Sequence, residues 1–584
     1  MKTSPPPLIP KASDSRLRTL ILALFLVAFV YYRFTHSEQP RTGVTGRPAF
    51  LIRARRGAVA SENALCSEIG VEILKLGGNA VDSAVGTTFC IGTLSMYSSG
   101  VGGGGFMTIR MPPAQGDSKD ASQVFTLDYR ESAPALANAT MFRDDPELGK
   151  YGGLSVGIPG ELRGLEYAHK RWGSLPWKTL VEPSIKLARG WAVQAELADR
   201  ITWFPELMLE NPDWRDIFAP AGRFLQKGQT IRRTNYSRTL EIIANEGADA
   251  FYKGPIADSL IRKIHATGGI LSHSDLENYS IKVQRALEGT YRGRKLYTSH
   301  APTSGPVLLH MLNLMETYPQ APRTPLSMHR VVEAIKFGFA ARTRICDPAF
   351  TNDTARIDQI HTKEYSARIV KNLTDDFTHP PEYYQPETAV KIDHGTSHTS
   401  VVDSNGMAVS LTSTINLIFG SRVMDPETGI ILNDEMDDFS TPGVPNGFGL
   451  FPSPYNYPAP NKRPLSSTAP TIIENEDGSF AAAIGGSGGG RIFGSVFQTI
   501  LNLEWGLDAS DAVEFWRLHN QLYPVETDAD AGYPSHLIDG LVERGHMLSV
   551  TGPVAAVVQL VLRSQDGEIQ AASDSRKRGV AAGY

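Results

Sequence analysis

A mixed α/β (α+β) fold is predicted by three features of this 584-residue chain. Two alternating apolar/polar runs, Ser400–Val402 and Met407–Leu411, flank Asp403-Ser404-Asn405-Gly406, whose Asn-Gly pair signals a tight hairpin. Apolar strand-like runs stand at Phe106–Met111 and Phe480–Ile484. Helix-like segments cover Glu62–Leu76, Ala80–Leu94 and Ile492–Leu503. The composition, 41% apolar and 20% charged, is that of a globular protein, and the net charge of −5 argues against a nucleic-acid partner.

Taken in order, residues 1–16 form a polar, proline-bearing tail, read as cytosolic. Residues 17–34 surround the apolar run Leu20–Tyr32, which is shorter than the roughly twenty residues of a comfortable membrane span. A cleaved signal peptide is therefore an alternative. The bulky Val30-Tyr31-Tyr32-Arg33-Phe34 leaves no small-x-small cleavage site directly after the run, which favours a signal anchor. Basic residues on both sides (Lys2, Lys11, Arg16 and Arg18 before, Arg33, Arg41 and Arg47 after) orient it only weakly. Residues 35–50 are a polar stalk, and the remainder reads as one large catalytic unit. Within it, Phe439–Lys462 is a proline- and glycine-rich loop.

The hairpin carries the chemistry. It is preceded by Asp393-His394-Gly395-Thr396-Ser397-His398-Thr399, so a cut between Gly395 and Thr396 would leave a threonine at the head of a strand. Such a threonine brings its own base: the new α-amine, with a pKa of about 7.7–8.0, can take the proton of its own hydroxyl. Glycine before the cut suits a contorted backbone and close approach of that hydroxyl.

Other segments stand in a specific order around this one. Upstream are Ser98-Ser99-Gly100-Val101-Gly102-Gly103-Gly104-Gly105-Phe106 and Asp128-Tyr129-Arg130-Glu131-Ser132-Ala133-Pro134. Downstream are Thr412-Ser413-Thr414-Ile415-Asn416-Leu417, Phe419-Gly420-Ser421 and Asn433-Asp434-Glu435-Met436-Asp437-Asp438-Phe439-Ser440. Lys462-Arg463-Pro464-Leu465-Ser466-Ser467 and Gly485-Gly486-Ser487-Gly488-Gly489-Gly490-Arg491 follow. From about Gly57 to the terminal Tyr584 the set resembles the γ-glutamyltranspeptidases (glutathione hydrolases).

The resemblance implies a four-layer αββα N-terminal-nucleophile hydrolase, made as one precursor that cuts itself. Residues 51–395 would become the large subunit and 396–584 the small subunit that pairs with it. It implies Thr396 as nucleophile and Thr414 as the residue that holds or polarises its hydroxyl. The oxyanion donors align with Gly488 and Gly489, although the third glycine leaves Gly489 and Gly490 open. Arg130 would grip the substrate's α-carboxylate, with Ser466 and Ser467 adding donors. Asn416, Glu435 and Asp438 would receive its ammonium; strand alternation would turn the neighbouring Asp437 to the opposite face. Glutathione and other γ-glutamyl compounds are the implied donors, and water, amino acids or dipeptides the acceptors. The Phe439–Lys462 loop would lie over the pocket as a lid, or be a surface loop.

Two rival readings come from the residues themselves. Gly485-Gly486-Ser487-Gly488-Gly489 fits the GxSxG elbow of a serine α/β-hydrolase, with His519, His536 and His546 downstream. A non-catalytic membrane-anchored glycoprotein is the other, disfavoured because nucleophile, clamp and glycine pair are all present. Gly100–Gly105 satisfies GxGxxG, but a strand rather than a helix follows it, so no nucleotide cofactor is expected. No cluster has metal-ligand spacing, and no metal is expected.

Three cysteines are too few for a disulfide framework. Cys66 and Cys90 lie in consecutive helix-like segments, and the family pattern pairs the matching cysteines; Cys346 is left as a free thiol. Sequons at Asn138, Asn235, Asn278, Asn352 and Asn372 support a lumenal or extracellular catalytic body (vacuole, Golgi or cell surface), secreted if the N-terminal segment is removed.

Overall fold

The computed structural model describes residues 41–113, 121–389, 395–443, 451–552 and 556–584. The proposed tail and anchor, Asp393 and His394, and the middle of the Phe439–Lys462 loop lie outside them. Among the described residues no helix is long and apolar enough to cross a membrane.

In the two large sheets the strands before Gly395 are β1 (Ile52–Ala54), β2 (Ala58–Ser61), β3 (Gly104–Met111), β4 (Gln123–Tyr129), β5 (Lys282–Arg285), β6 (Leu287–Tyr291) and β7 (Arg294–Thr298). Those after it are β8 (Ser397–Val402), β9 (Ala408–Thr414), β10 (Thr471–Glu474), β11 (Phe480–Ser487), β12 (Val557–Arg563), β13 (Ile569–Ser573) and β14 (Ala582–Gly583). They form two antiparallel seven-stranded sheets, ordered β14-β2-β8-β9-β3-β4-β5 and β6-β7-β10-β11-β12-β13-β1. Each sheet therefore interleaves chain from both sides of Gly395, so a cut there leaves two pieces sharing both sheets.

The sheets face each other through small and apolar residues such as Ala58, Ala60, Ala408, Ala483 and Ala571. Helices α1 (Ala64–Lys75), α2 (Ala80–Leu94) and α3 (Glu161–Trp172) cover the outer face of the first sheet, packing on Val59, Met107, Val401 and Leu411. Helices α4 (Gly305–Glu316), α5 (Pro325–Arg342) and α6 (Ile492–Glu504) cover the second, on Leu296, Ile484 and Leu560. The result is a four-layer αββα sandwich. Cys66 in α1 and Cys90 in α2 are joined by a disulfide, and Cys346 is a buried free thiol.

This layering explains the alternation read in the hairpin. Every residue of β8 and β9 is buried. Val401, Val409 and Leu411 point to the helices, while His398, Ser400, Ser410 and Thr412 fill the space between sheets. Polar here means facing a second sheet, not water. There, Ser400 donates to the Gln559 carbonyl and Ser410 to that of Ile484. Burial pushes the His398 imidazole down to about 3, so it stays neutral. The hairpin loop is longer than a two-residue turn: the Asp403 amide donates to the Met407 carbonyl, and the Asp403 carboxylate accepts from the Asn405 and Met407 amides.

Candidate active site

Register sets the nucleophile. Ser397 pairs with Ser413 across β8 and β9, so one residue earlier Thr396 faces Thr414. The Thr396 hydroxyl donates to the Thr414 Oγ1 at 3.3 Å, and that oxygen also accepts from the Asn416 amide at 2.8 Å. Thr396 has φ +86°, in the left-handed region that a β-branched residue rarely enters, a strain of about 1–3 kcal/mol.

Gly395, also at positive φ (+85°), passes over Asn416 so closely that a Cβ would lie 1.5 Å from the Asn416 carbonyl oxygen. Its own carbonyl accepts a hydrogen bond from the Gly488 amide at 3.2 Å. Gly488 sits just past β11, at φ +120°, where the chain turns into α6. The bond between Gly395 and Thr396 is thus held with a donor on its carbonyl and the threonine hydroxyl beside it.

The GxGxxG-like run has a packing role. A Cβ on Gly103 would lie 1.9 Å from the Thr414 carbonyl oxygen, so glycine lets the start of β3 close on the strand that carries Thr414.

Arg130 leaves β4 and is 2% exposed. Its guanidinium pairs with Glu435 and, at 2.5 Å, with Asp438, and donates to the Leu465 carbonyl at 2.8 Å. Glu435–Asp438 is a short 3-10 turn, not the strand the sequence suggested. Three residues per turn put Glu435 and Asp438 on one face, which is why both reach Arg130. Burial holds the Glu435 carboxyl well above its ordinary range, and the neighbouring Glu131 is pushed up to about 8 by burial. The Asn416 amide group donates to the Asp434 carbonyl. Ser466 Oγ lies 3.0 Å from Thr468 Oγ1, and Ser467 Oγ accepts from Arg342. Asn456, from the described flank of the proline-rich loop, bridges the Asp438 carbonyl and the Leu465 amide.

A pocket of about 490 Å³ opens on Gly395 and Gly488, walled by Tyr97, Trp203, Phe204, Leu417 and Ile418. That is ample for a small ligand. The Arg130 cluster does not line it and is buried.

The serine-elbow reading fails at Ser487. Its hydroxyl donates to Glu62 and accepts from Lys577, and among the described residues no imidazole bonds it. His519 bonds Gln521, His546 bonds His329, and His536 is exposed. Glu62 and Lys577 carry no motif signal and come from opposite ends of the chain. Three-dimensional proximity also gathers His329, Glu333 and His546, one helical turn plus a distant residue that linear spacing could not reveal. These bond one another and neighbours: His329 Nδ1 to His546 Nε2 at 2.8 Å, Glu333 to Tyr384 and Thr378.

Comparison with known proteins agrees with this geometry. Residues 66–584 match the Gamma-glutamyltranspeptidase family model. The chain belongs to that family. It is 40% identical over 575 residues to glutathione hydrolase proenzyme 2 of Schizosaccharomyces pombe, covering 97% of this chain and 92% of that protein. It is 35% identical over 549 residues to the glutathione hydrolase proenzyme of Escherichia coli, covering 91% and 93%. A cephalosporin acylase from Bacillus halodurans superposes with a TM-score of 0.78 at 23% identity, over 91% of this chain and 97% of that one, a likeness of fold. This γ-glutamyltranspeptidase is therefore an N-terminal-nucleophile hydrolase, an enzyme of γ-glutamyl transfer made as a precursor.

Proposed function

We propose that this γ-glutamyltranspeptidase cuts itself between Gly395 and Thr396 and then uses Thr396 to hydrolyse glutathione or transfer its γ-glutamyl group. The observation that carries the reading is the strained Gly395–Thr396 link, with Gly488 on its carbonyl and Thr414 on the attacking hydroxyl. The Thr396 hydroxyl attacks the Gly395 carbonyl and the oxyanion gathers at Gly488, which favours Gly488 with Gly489 as the donor pair. Collapse breaks the Gly395–Thr396 C–N bond, the proton passing to the departing amine. Water then opens the ester, leaving Gly395 as a carboxylate and Thr396 with a free amine.

In turnover that amine takes the hydroxyl proton as Oγ1 attacks the γ-amide carbonyl. The leaving amine departs protonated, and water or an amine acceptor releases the γ-glutamyl group from the ester. Glutathione as donor is supported by the names of the relatives. An amino-acid head fits the Arg130 cluster because it carries both charges. Its carboxylate replaces Glu435 and Asp438 on Arg130 while its ammonium takes the freed carboxylates, so no buried charge is left alone. A simple diacid, lacking the ammonium, cannot make that exchange.

Residues 17–34 act in this reading as a signal anchor, with the catalytic body lumenal or extracellular. The exposure of all five sequon asparagines supports this.

The test is the intact mass of the denatured, reduced and deglycosylated protein, for the wild type and Thr396→Ala. Two wild-type fragments, the smaller starting at Thr396, and an uncut, inactive variant are expected. A single uncut wild-type chain that still releases γ-glutamyl groups would sink the reading.

A further inference from the structure

Beside the nucleophile lies a set of buried polar groups that the mechanism above does not use. Glu62, just ahead of α1, is 3% exposed; Ser487 ends β11, Ser397 starts β8, and Lys577 lies seven residues from the C-terminal Tyr584. The Lys577 ammonium donates to three oxygens: the Thr396 carbonyl at 2.9 Å, Ser487 Oγ at 3.0 Å and Glu62 Oε2 at 3.1 Å. Glu62 in turn accepts from the hydroxyls of Ser397, at 3.1 Å, and Ser487. Ser397 Oγ is 2.9 Å from Ser98 Oγ.

We propose that Lys577 is a positioning residue: held by Glu62, it pins the Thr396 carbonyl and so fixes the rotation of the nucleophile in self-cleavage and in turnover. The proposal rests on Thr396 being the nucleophile and adds an agent that acts through it.

The physical argument starts from the backbone. The first ladder pair of β8 is Ser397 with Ser413, so Thr396 stands just outside the sheet's pairing. Its positive φ is held from two ends: Gly488 on the Gly395 carbonyl upstream, and Lys577 on the Thr396 carbonyl downstream. A cut removes the upstream restraint, because Gly395 departs and the Gly488 amide must serve the substrate's carbonyl. Lys577 then remains as the side-chain anchor on the terminal residue's own backbone.

The charges explain why a lysine can serve there. An ammonium has three donors, and all three are engaged, one with Glu62, so the cation is neutralised where it is partly buried. Saturated in this way it is an anchor, not a free cation for a ligand carboxylate, although it borders the pocket at Gly395. The Ser487 hydroxyl that resembled an elbow nucleophile is one strut of this frame. Rotating the Thr396 hydroxyl away from an incoming carbonyl costs rate rather than affinity, since near-attack geometry is lost while the Arg130 cluster still binds.

The test compares Lys577→Met, Lys577→Arg and Glu62→Gln with wild type in three readouts: self-cleavage rate by intact mass, kcat and KM of the cleaved fraction, and Tm. Lys577→Met should slow cleavage and lower kcat at least about 30-fold, with KM within about threefold. Lys577→Arg, which restores a donor, should recover a large part of kcat. Glu62→Gln keeps one acceptor oxygen, puts an amide donor in place of the other and removes the counter-charge of the ammonium, and should lower kcat about fivefold.

A Lys577→Met enzyme with wild-type cleavage and kcat would overturn the proposal. So would a loss in which KM rises as much as kcat falls, with Tm dropping in step, since that describes damaged packing. If Lys577→Met yields no folded protein, Glu62→Gln decides alone, and wild-type rates there overturn the idea. Thr396→Ala separates the two layers: a Thr396→Ala protein that is cut and active defeats the nucleophile assignment itself, whatever the lysine variants do.

Discussion

Around Thr396 the polar groups already touch the bond to be broken: Gly488 is on the Gly395 carbonyl and Thr414 on the hydroxyl. Around Arg130 they touch one another, the guanidinium closed on Glu435 and Asp438 and shut away from solvent. The difference follows from when each set must act. A reaction within the precursor needs its donors in place as soon as the chain folds. A binding site for a doubly charged ligand must meanwhile hold buried charges, and unpaired ones would cost several kcal/mol each. Pairing them together keeps the uncut fold stable and, in the binding role proposed for Arg130, would make ligand binding an exchange of ion pairs.

Gly395→Ala is the sharpest way to break the first half of that comparison. A Cβ there collides with the Asn416 carbonyl, and alanine resists the positive φ. Losing the geometry by even ~4 kcal/mol corresponds to about 10³-fold in rate. The purified variant should remain a single chain over times in which wild type is fully cut, with an unchanged far-ultraviolet circular dichroism spectrum. Wild-type cleavage would mean that the contorted link is not needed for the chemistry.

Arg130→Lys probes the other half. Lysine keeps the charge that Glu435 and Asp438 require but loses the planar fork that matches two carboxylates or one bidentate ligand. Self-cleavage, which does not involve Arg130, should stay within about threefold of wild type, while KM for a γ-glutamyl donor should rise about 10²-fold. Equal losses in cleavage and in KM would show that the two regions are not separately built.

The two regions also differ in how far the sequence disclosed them. Thr396 was legible as a threonine after a glycine at the head of a hairpin strand, and Thr414 through the family likeness; the strand register then shows why the two face each other. The sandwich layers were legible through the family likeness, not through periodicity, since β8 and β9 alternate apolar with polar while both faces are buried. The clamp residues were named, but as groups with separate tasks. That they pair with one another depends on a 3-10 turn at Glu435–Asp438, which a strand reading hid. Glu62 and Lys577 were invisible, since only the fold brings chain positions 515 residues apart into contact. Isolated charges near the ends of a chain carry no local pattern to find.

The smallest effect on activity, and the finest separation of the regions, is expected from two buried carboxyls. Glu131 lies beside Glu435 on the proposed binding side; Glu161 accepts from Ser413, next to Thr414, on the nucleophile side. Burial raises each from 4.5 to about 8. The folded protein therefore holds protons that the unfolded chain has released, and stability contributed by these groups is present below about pH 4.5 and lost as pH rises through 8. Glutamine, neutral at every pH, removes that dependence. Glu161→Gln should flatten the fall in unfolding free energy between pH 5 and 8 by ~3–4 kcal/mol, read by urea denaturation, with kcat and KM at pH 7 within about threefold of wild type. Glu131→Gln should flatten stability similarly but also change the pH profile of KM, because a neutral amide never places beside Glu435 the charge that the acid acquires as pH rises. If both variants alter KM alike, the proton on Glu161 is serving substrate binding as well, and the boundary between the two regions has to be drawn elsewhere.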